Sequence, residues 1–368
     1  MADSNPAANA GTGRTKRAPM RLARMESRTA LYLLLPTFAI LAVIAVFPFS
    51  RVIQSSFTNA RFASSVETEY IGLANYRALL SMTIKELPPQ LDDAGQRLLD
   101  DDGNVRYESW VSVLPREPLR YRSVFEFGLF GKRYVLGAVT SQFVRAVWDT
   151  TVFTVVAVAL ETILGMIIAL ALATSFRGRG LMRAAMLVPW AVITAVSARI
   201  WEWMLQPSRA GLFNTIGSYL GLNEGRTDFF GNAALQLPSM ITMDVWKTTP
   251  FMALLLLAGL STIPSELYEA AEVDGAGKIR KFFSITLPLL SPTLAVALIF
   301  RTLDSLRVFD IFQVVLGNQR YSMASYAQDV LISQRDLGLS SAASVIIFVL
   351  VAVFAVLYIR MLGVRSNS

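Results

Sequence analysis

Nine ionisable residues interrupt the long apolar segments of this 368-residue sequence. A charged side chain is costly at membrane depth, where it commonly marks a transport pathway, a proton relay or a buried ion pair. The chemistry open to these residues is therefore ion pairing or polar contact with a solute. They are Glu161, Arg199, Glu202, Asp244, Lys247, Arg301, Asp304, Arg307 and Asp310.

Their spacing favours pairing within single helices. The last four alternate in sign at three-residue steps, so each can pair with a helical neighbour. The same spacing separates Asp244 from Lys247 and Arg199 from Glu202. Glu161 has no partner close in the sequence, and we expect it to bond to a neighbouring helix as a packing element.

Composition excludes several classes of chemistry. The chain has no histidine and no cysteine. It therefore lacks a Ser-His-Asp triad, a cysteine nucleophile and the usual ligands of a zinc site. No convergent set of carboxylates suggests a membrane enzyme, so we expect neither catalytic residues nor a metal. Hydrophobic residues make up 54% and charged residues 17% of the chain, which is typical of a membrane protein.

The elements that must position the charges are six predicted membrane spans. About 20 apolar residues in a helix cross the hydrocarbon core. Six segments meet this length, and the fold class predicted is an all-α polytopic membrane protein. The segments are Ala30–Phe49, Thr150–Thr174, Ala184–Leu205, Leu237–Leu260, Leu289–Leu316 and Ala343–Leu362.

Basic residues indicate the orientation of the spans. Cytoplasmic loops are enriched in Lys and Arg. Clusters of these residues precede the first span and follow the second, fourth and sixth, which places both termini in the cytoplasm. The net charge of +7 is then a topology signal and not a nucleic-acid footprint. The clusters are Arg14, Lys16, Arg17, Arg21, Arg24 and Arg28; Arg177, Arg179 and Arg183; Lys278, Arg280 and Lys281; and Arg360 and Arg365.

The spans divide the chain into a tail, a loop and a core. The first external loop is polar in its middle, where Asp100–Asp102 reads as a solvated turn and not as a calcium loop. We expect a small, β-containing external subdomain there. The predicted divisions are a disordered basic tail over 1–28, a first helix over 29–50, an external loop over 51–149 with an insert at 82–140, a core over 150–362 and a tail over 363–368.

The connection over 261–290 predicts a short cytoplasmic helix. Pro264 suits a first helical turn, and Gly275 suits a left-handed cap at the end. Leu267, Ala270 and Ala271 share one face by their spacing. A small-residue face is suited to close contact with a partner, but an amphipathic linker on the membrane surface fits the residues equally well.

This connection resembles the EAA signature of ABC importer permeases. Glu269-Ala270-Ala271 is followed after three residues by Gly275, and after nine more by Ile285-Thr286-Leu287-Pro288. The surrounding residues are similar to the carbohydrate branch, the maltose/trehalose type, over about 30–80 and 141–362; the insert does not match the common short form. Further matching segments are Arg177–Gly180, Pro189-Trp190, Trp201–Trp203 and Arg301–Asp310.

The resemblance implies partners and a role for the cytoplasmic helix. It implies a second homologous permease subunit, two ATPase subunits, an extracytoplasmic sugar-binding protein or lipoprotein, and a multi-pass location in the bacterial inner membrane, in contact with lipid. The chain lacks a phosphate-binding loop, so ATP and Mg would lie on the partner ATPase subunits. The residues implied to couple to the ATPase are Glu269, Ala270, Ala271, Asp274, Gly275 and Pro288.

A sugar pathway would need hydroxyl-binding groups and aromatic faces. The fourth and fifth spans hold candidates, each of which is also compatible with ordinary packing. Trehalose or maltose is the substrate implied, with a glycerol-phosphate compound or another small solute as the alternative. A self-contained secondary transporter is an alternative of another class. The candidates are Asp244, Trp246, Thr248, Asp304, Phe309, Asp310 and Gln313.

Overall fold

The computed structural model describes residues 18–361, except for Val66, Ala94, Asp102, Arg209 and residues 223–225. Residues 1–17 of the predicted tail over 1–28 and the predicted tail over 363–368 lie outside the described residues, as do Asp102 of the acidic turn and the basic residues Arg14, Lys16, Arg17 and Arg365. The prediction of disorder is wrong for residues 18–28, which belong to a helix over Ala18–Leu41. Side chains are described from residue 29 to residue 360.

Helices form most of the described chain. Between two of them, three strands form a small sheet. In chain order the elements are α1 (Ala18–Leu41), a π-helical turn (Ala42–Val46), α2 (Phe47–Ser56), α3 (Ala74–Leu80), β1 (Met82–Leu87), α4 (Trp110–Val113), β2 (Arg122–Leu129), β3 (Lys132–Ala138), α5 (Ser141–Ala173), α6 (Arg179–Ala191), α7 (Thr194–Met204), α8 (Leu212–Tyr219), α9 (Ala233–Leu260), α10 (Ser265–Val273), α11 (Lys278–Lys281), a second π-helical turn (Phe282–Thr286), α12 (Leu287–Ser305), α13 (Asp310–Val315), α14 (Met323–Ile332) and α15 (Leu337–Met361).

Five helical segments are long and apolar enough to cross a membrane. They correspond to the first, second, fourth, fifth and sixth predicted spans. Several begin earlier than predicted, because polar residues continue the helix beyond the apolar run. The segments are Thr29–Ser56, Ser141–Ala173, Ala233–Leu260, Lys278–Val315 and Leu337–Arg360.

The third predicted span is not one straight helix. Two helices, α6 and α7, replace it and meet at an angle of 92°. Val192 and Ile193 between them take extended backbone angles, which interrupts the helical hydrogen bonds. The pair counts as a sixth span only if the two halves are taken together.

The fifth predicted span is also interrupted. Helix α12 ends at Ser305, and α13 begins at Asp310. The expected three-residue ladder of charges therefore covers a break in the helix, and the pairing expected for Arg307 and Asp310 on a continuous helix is wrong.

The chain divides into a unit over Met1–Gln54 and a unit over Ser55–Ser368. In the second unit, α5 and α9 pack closely. A side chain at Gly165 of α5 would come within 2.9 Å of Met252 Cγ and 3.2 Å of the Ala253 backbone nitrogen on α9. Small residues permit such close approach between helices in membranes. A buried apolar cluster that includes Met166 and Met252 extends this contact to Leu290 of α12.

The insert predicted at 82–140 contains the three strands, in the order β1-β3-β2 and all antiparallel. Leu87, Leu114 and Val135 form its small buried core. Ser81 directly precedes β1 and Val139 directly follows β3, and the Val139 backbone N–H donates to the Ser81 carbonyl oxygen at 3.1 Å. The two ends of the insert therefore meet where they leave the helical part.

Candidate functional site

A buried guanidinium joins three helices. Arg301 of α12 donates through Nη2 to Glu161 Oε1 of α5 at 2.9 Å and through Nη1 to Asp304 Oδ2 at 2.7 Å. It also contacts Glu161 Oε2 and Asp244 Oδ2 of α9. Thr248 Oγ1 lies 2.6 Å from Glu161 Oε1. We call these five residues the Arg301 cluster.

Burial makes the Arg301 cluster depend on its buried charged members, Arg301, Glu161 and Asp244. Arg301 is 3% exposed and Glu161 is fully buried. Charges removed from water are tolerated when their partners satisfy them, and removing one partner costs several kcal/mol because the others stay buried. Glu161, expected to bond to a neighbouring helix, lies on α5 and bonds to α12 and α9.

A polar cavity of about 220 Å³ adjoins the Arg301 cluster at the break between α12 and α13. Its wall combines carboxylates, cationic groups, hydroxyls and two aromatic rings, on helices that are otherwise apolar. We call it the inner cavity. It is lined by Trp190, Thr194, Asp244, Lys247, Thr248, Arg301, Asp304, Ser305, Arg307, Val308, Phe309, Asp310 and Ile311.

The inner cavity brings together five of the seven predicted pathway residues: Asp244, Thr248, Asp304, Phe309 and Asp310. The remaining two predicted residues lie elsewhere. The ring of Trp246 packs edge-on against Trp201 at 5.8 Å, on another side of α9. The Oε1 atom of Gln313 is buried without a hydrogen-bond partner among the described residues.

Only some of the nine ionisable residues pair within a single helix. Arg301 pairs with Asp304, and Arg199 Nη1 lies 2.5 Å from Glu202 Oε2. Lys247 does not pair with Asp244 as expected. Its ammonium donates instead to the Trp190 carbonyl oxygen at 3.3 Å, because Arg301 already occupies Asp244.

Arg307 has no carboxylate within ion-pair distance in the described chain. Its Nε donates to the Leu303 carbonyl oxygen at 3.1 Å. Two cations of the inner cavity, Lys247 and Arg307, are therefore held by carbonyl oxygens and not by acidic side chains.

The connection over 261–290 contains the predicted short helix. Helix α10 begins at Ser265, directly after Pro264. Gly275 lies just beyond its end with a φ of +78°. The Ala276 N–H donates to the Ala271 carbonyl at 2.8 Å and the Gly275 N–H to that of Glu272 at 3.0 Å. These two bonds form the left-handed cap expected from the glycine.

One side of helix α10 contacts the start of the fifth span, and the other side is exposed. Tyr268 Oη lies 3.0 Å from Thr286 Oγ1, and Lys281 Nζ lies 3.4 Å from Glu272 Oε2, which ties the helix to the start of the fifth span. The six coupling candidates are accessible: Glu269, Ala270, Asp274, Gly275 and Pro288 are exposed, and Ala271 is half-buried.

Sequence reasoning missed Trp190 and Thr194 as cavity residues. Both belong to the predicted third span, and they reach the cavity because the chain bends at Val192 and Ile193. The adjacent Pro189 was the available signal, since proline often interrupts a helix.

Comparison with known proteins identifies relatives of the chain. Residues 161–365 match the family described as binding-protein-dependent transport system inner membrane component. The trehalose/maltose transport system permease protein MalF of Thermococcus litoralis is 44% identical over 68% of this chain and 82% of its own. The sulfoquinovosyl glycerol transport system permease protein SmoG of Agrobacterium fabrum is 31% identical over 92% of this chain and 91% of its own.

The fold also has a counterpart of known structure. A chain from the crystal structure of a bacterial ABC transporter involved in the import of the acidic polysaccharide alginate superposes with a TM-score of 0.67 at 20% identity. The match covers 94% of this chain and all of the other. It therefore includes the region of the insert as well as the helices.

Proposed function

The chain belongs to the family of binding-protein-dependent transport system inner membrane components, and on this premise we propose that it is the permease subunit of an ATP-driven importer of a disaccharide such as trehalose or maltose. Members of the family are transport components and not enzymes. Because members of the family depend on a binding protein, a binding protein is one partner of this chain. What we propose is the substrate, the contact with the ATPase and the remaining partners.

The inner cavity is the observation that carries the proposal. Trp190 and Phe309 provide aromatic faces, while Thr248, Asp304 and Asp310 provide groups that bind hydroxyls. Ionisable residues at membrane depth commonly line a substrate pathway. The similarity to the trehalose/maltose permease supports a disaccharide as that solute.

Helix α10 is the proposed contact with the ATPase. Its exposed Ala270 and half-buried Ala271 permit close approach to a partner surface. Tyr268 and Glu272 tie the helix to the start of the fifth span. A movement of α10 would therefore be transmitted to α12 and to the cavity at its other end, as in alternating access by rigid-body motion.

The proposed assembly contains this chain, a second homologous permease, two ATPase subunits and an extracytoplasmic sugar-binding protein in the bacterial inner membrane. ATP and Mg would lie on the ATPase subunits. A self-contained secondary transporter, which would need no binding protein, is disfavoured by family membership.

Uptake by the reconstituted complex tests the proposal. Proteoliposomes with the full complex, ATP inside and the binding protein outside are expected to accumulate labelled trehalose or maltose. Omission of ATP or of the binding protein should abolish uptake. ATP-driven uptake without the binding protein, or substantial ATPase activity of this chain alone, would contradict the proposal.

A second substrate class is favoured by one observation. Lys247 and Arg307 line the inner cavity without an acidic partner within ion-pair distance among the described residues. Unpaired cations suit an anionic group, and the relative SmoG is named for sulfoquinovosyl glycerol. An anionic glycosyl glycerol or a glycerol phosphate is therefore the second candidate.

Lys247→Met separates the two classes. The variant removes a charge but leaves the Arg301 cluster complete. Uptake of an anionic glycosyl glycerol should fall about tenfold, the usual size of losing one charged hydrogen bond, whereas uptake of trehalose should change little. Equal loss for both solutes would indicate a structural role for Lys247.

A further inference from the structure

A second cavity lies outside the inner cavity and shares none of its lining residues. It has a volume of about 500 Å³ and lies where β2, the first turns of α5 and α9, and the segment around Gln319 meet. We call it the outer cavity. Ligand pockets usually measure about 300–1,000 Å³, a range that includes the outer cavity.

Two aromatic rings form one wall of the outer cavity. Phe125 of β2 and Trp148 of α5 have ring centroids 5.8 Å apart and planes tilted by 40°. Trp148 is 56% exposed and lines the outer cavity, so part of its indole can contact a ligand. A flat aromatic face suits the apolar side of a pyranose ring.

Two amides face each other across another part of the wall. Gln236 is only 7% exposed, and its Nε2 donates to the Phe230 carbonyl oxygen at 2.7 Å and to Gln319 Oε1 at 3.4 Å. Gln236 Oε1 and Gln319 Nε2 have no hydrogen bond among those resolved in the described chain. One acceptor and one donor are therefore available, the complement of a pair of sugar hydroxyls.

The charged residues beside the outer cavity mainly link the elements that surround it. Arg320 donates to both Oδ atoms of the buried Asp149 at 2.6 Å and to the Ala233 carbonyl oxygen at 3.0 Å. Arg145 donates to the Val124 carbonyl oxygen at 2.6 Å, which ties β2 to α5. Asp149 neutralises Arg320, whereas Arg145 is exposed and has no carboxylate within ion-pair distance among the described residues. Its remaining N–H groups are therefore available to a polar group of a ligand.

We propose that the outer cavity is a binding subsite for one pyranose unit, stacked on Trp148 and hydrogen-bonded by Gln236 and Gln319. The proposal rests on sugar import by this chain and adds a second position for the sugar, separate from the inner cavity. Because the two cavities share no lining residue, occupancy of the outer cavity can be measured separately from transport.

Cysteine labelling tests the subsite directly, since the chain has no cysteine of its own. Ala234 lines the outer cavity, and Ala234→Cys introduces a small thiol there. In the purified full complex in nanodiscs, we expect the rate of maleimide labelling of this chain to fall with rising trehalose or maltose. At about nine times the dissociation constant the rate should be tenfold lower, as for a one-site equilibrium.

The control thiol is Phe130→Cys at the 93%-exposed tip of the β2–β3 hairpin. Its labelling should not respond to sugar. Sorbitol at the same concentration should protect neither thiol, because it lacks the ring that stacks on Trp148.

Two further variants test the wall in the Ala234→Cys background. Trp148→Ala should raise the sugar concentration for half-protection about fivefold or more, whereas Trp148→Phe should retain protection. Gln319→Leu should weaken it to a similar extent. An unchanged elution volume of the complex in size-exclusion chromatography shows that the fold persists in these variants.

Three results would overturn the subsite: no protection of Ala234→Cys in a complex that imports the sugar, protection that Trp148→Ala leaves unchanged, or equal protection by sorbitol. The first of these would leave Trp148 as an anchor at the membrane interface. Failure of the proposed function is a separate result, namely a complex with working ATPase that imports neither disaccharide.

Discussion

The Arg301 cluster and helix α10 differ in whether their side chains have bonding partners within the chain. In the cluster, every charge is bound by a side chain of the same protein, and Arg301 is 3% exposed. On α10, the side chains of Glu269 and Ala270 are exposed, and Val273 is 89% exposed. The cluster is complete within the chain, whereas the surface of α10 is available to another chain.

This difference teaches which variants should damage the fold and which should damage the assembly. Loss of a buried charge of the cluster leaves the other buried charges without their partner. A change on α10 alters an exposed surface and a helix cap, so insertion and folding should persist while coupling fails. The following variants are ordered by the size of the effect expected.

Arg301→Met should have the largest effect. It leaves Glu161 and Asp244 buried without a cation, at a cost of about 3–5 kcal/mol. We expect loss of assembled complex in size-exclusion chromatography and a lower unfolding temperature. The matched control is Arg199→Met, because the Arg199–Glu202 pair has side chains 59% and 31% exposed and such pairs contribute about 0–1 kcal/mol. An equal loss of assembled complex in the two variants would show that burial does not distinguish the Arg301 cluster from an exposed ion pair.

Gly275→Val should abolish uptake but leave membrane insertion intact. A β-branched residue is strongly disfavoured at a φ of +78°, so the cap of α10 is lost. Gly275→Asn tolerates that backbone better and should retain part of the uptake. Gly131→Val provides a matched control, because Gly131 has a φ of +75° but lies in the β2–β3 turn. Co-purified ATPase is the readout, and normal uptake by Gly275→Val would refute the assignment of α10.

These two regions also show what could be predicted from sequence. The end of α10 depends on neighbours in the chain, and Gly275 alone indicated a left-handed cap. The Arg301 cluster joins residues 140 positions apart, Glu161 and Arg301, and no local spacing indicates that contact. Lys247 was therefore assigned to the wrong partner.

The same limit applies to larger elements: local sequence predicts local features but not contacts between distant parts of the chain. Apolar length predicted five of the spans, because crossing a membrane sets a minimum helix length. The bend at Val192 and Ile193 depends on backbone angles that hydropathy does not report. The outer cavity was also missed, since Phe125, Trp148 and Gln236 come from three elements far apart in sequence.

Excision of residues 82–138 should have an intermediate effect. Ser81 and Val139 are joined by a backbone hydrogen bond of 3.1 Å, so a short glycine-serine link can replace the insert with little strain. We expect weaker co-purification of the binding protein and unchanged co-purification of the ATPase. Loss of the ATPase instead would show that the insert supports the side of the molecule that carries α10.

Asp304→Asn should have the smallest effect on stability. The Asp304 side chain is 68% exposed, and Arg301 keeps both of its buried carboxylates. We expect the unfolding temperature to change little and sugar uptake to fall about tenfold, the effect of weakening one charged hydrogen bond. Unchanged uptake would remove Asp304 from the pathway.

Substrate-stimulated ATPase activity of the reconstituted complex, with its binding protein, tests the central claim most directly. The measurement uses trehalose, maltose, an anionic glycosyl glycerol and glycerol phosphate. A permease for uncharged disaccharides should give strong stimulation with trehalose or maltose and little with the anionic solutes. Stimulation by an anionic solute alone, or by none of the four, would contradict the account.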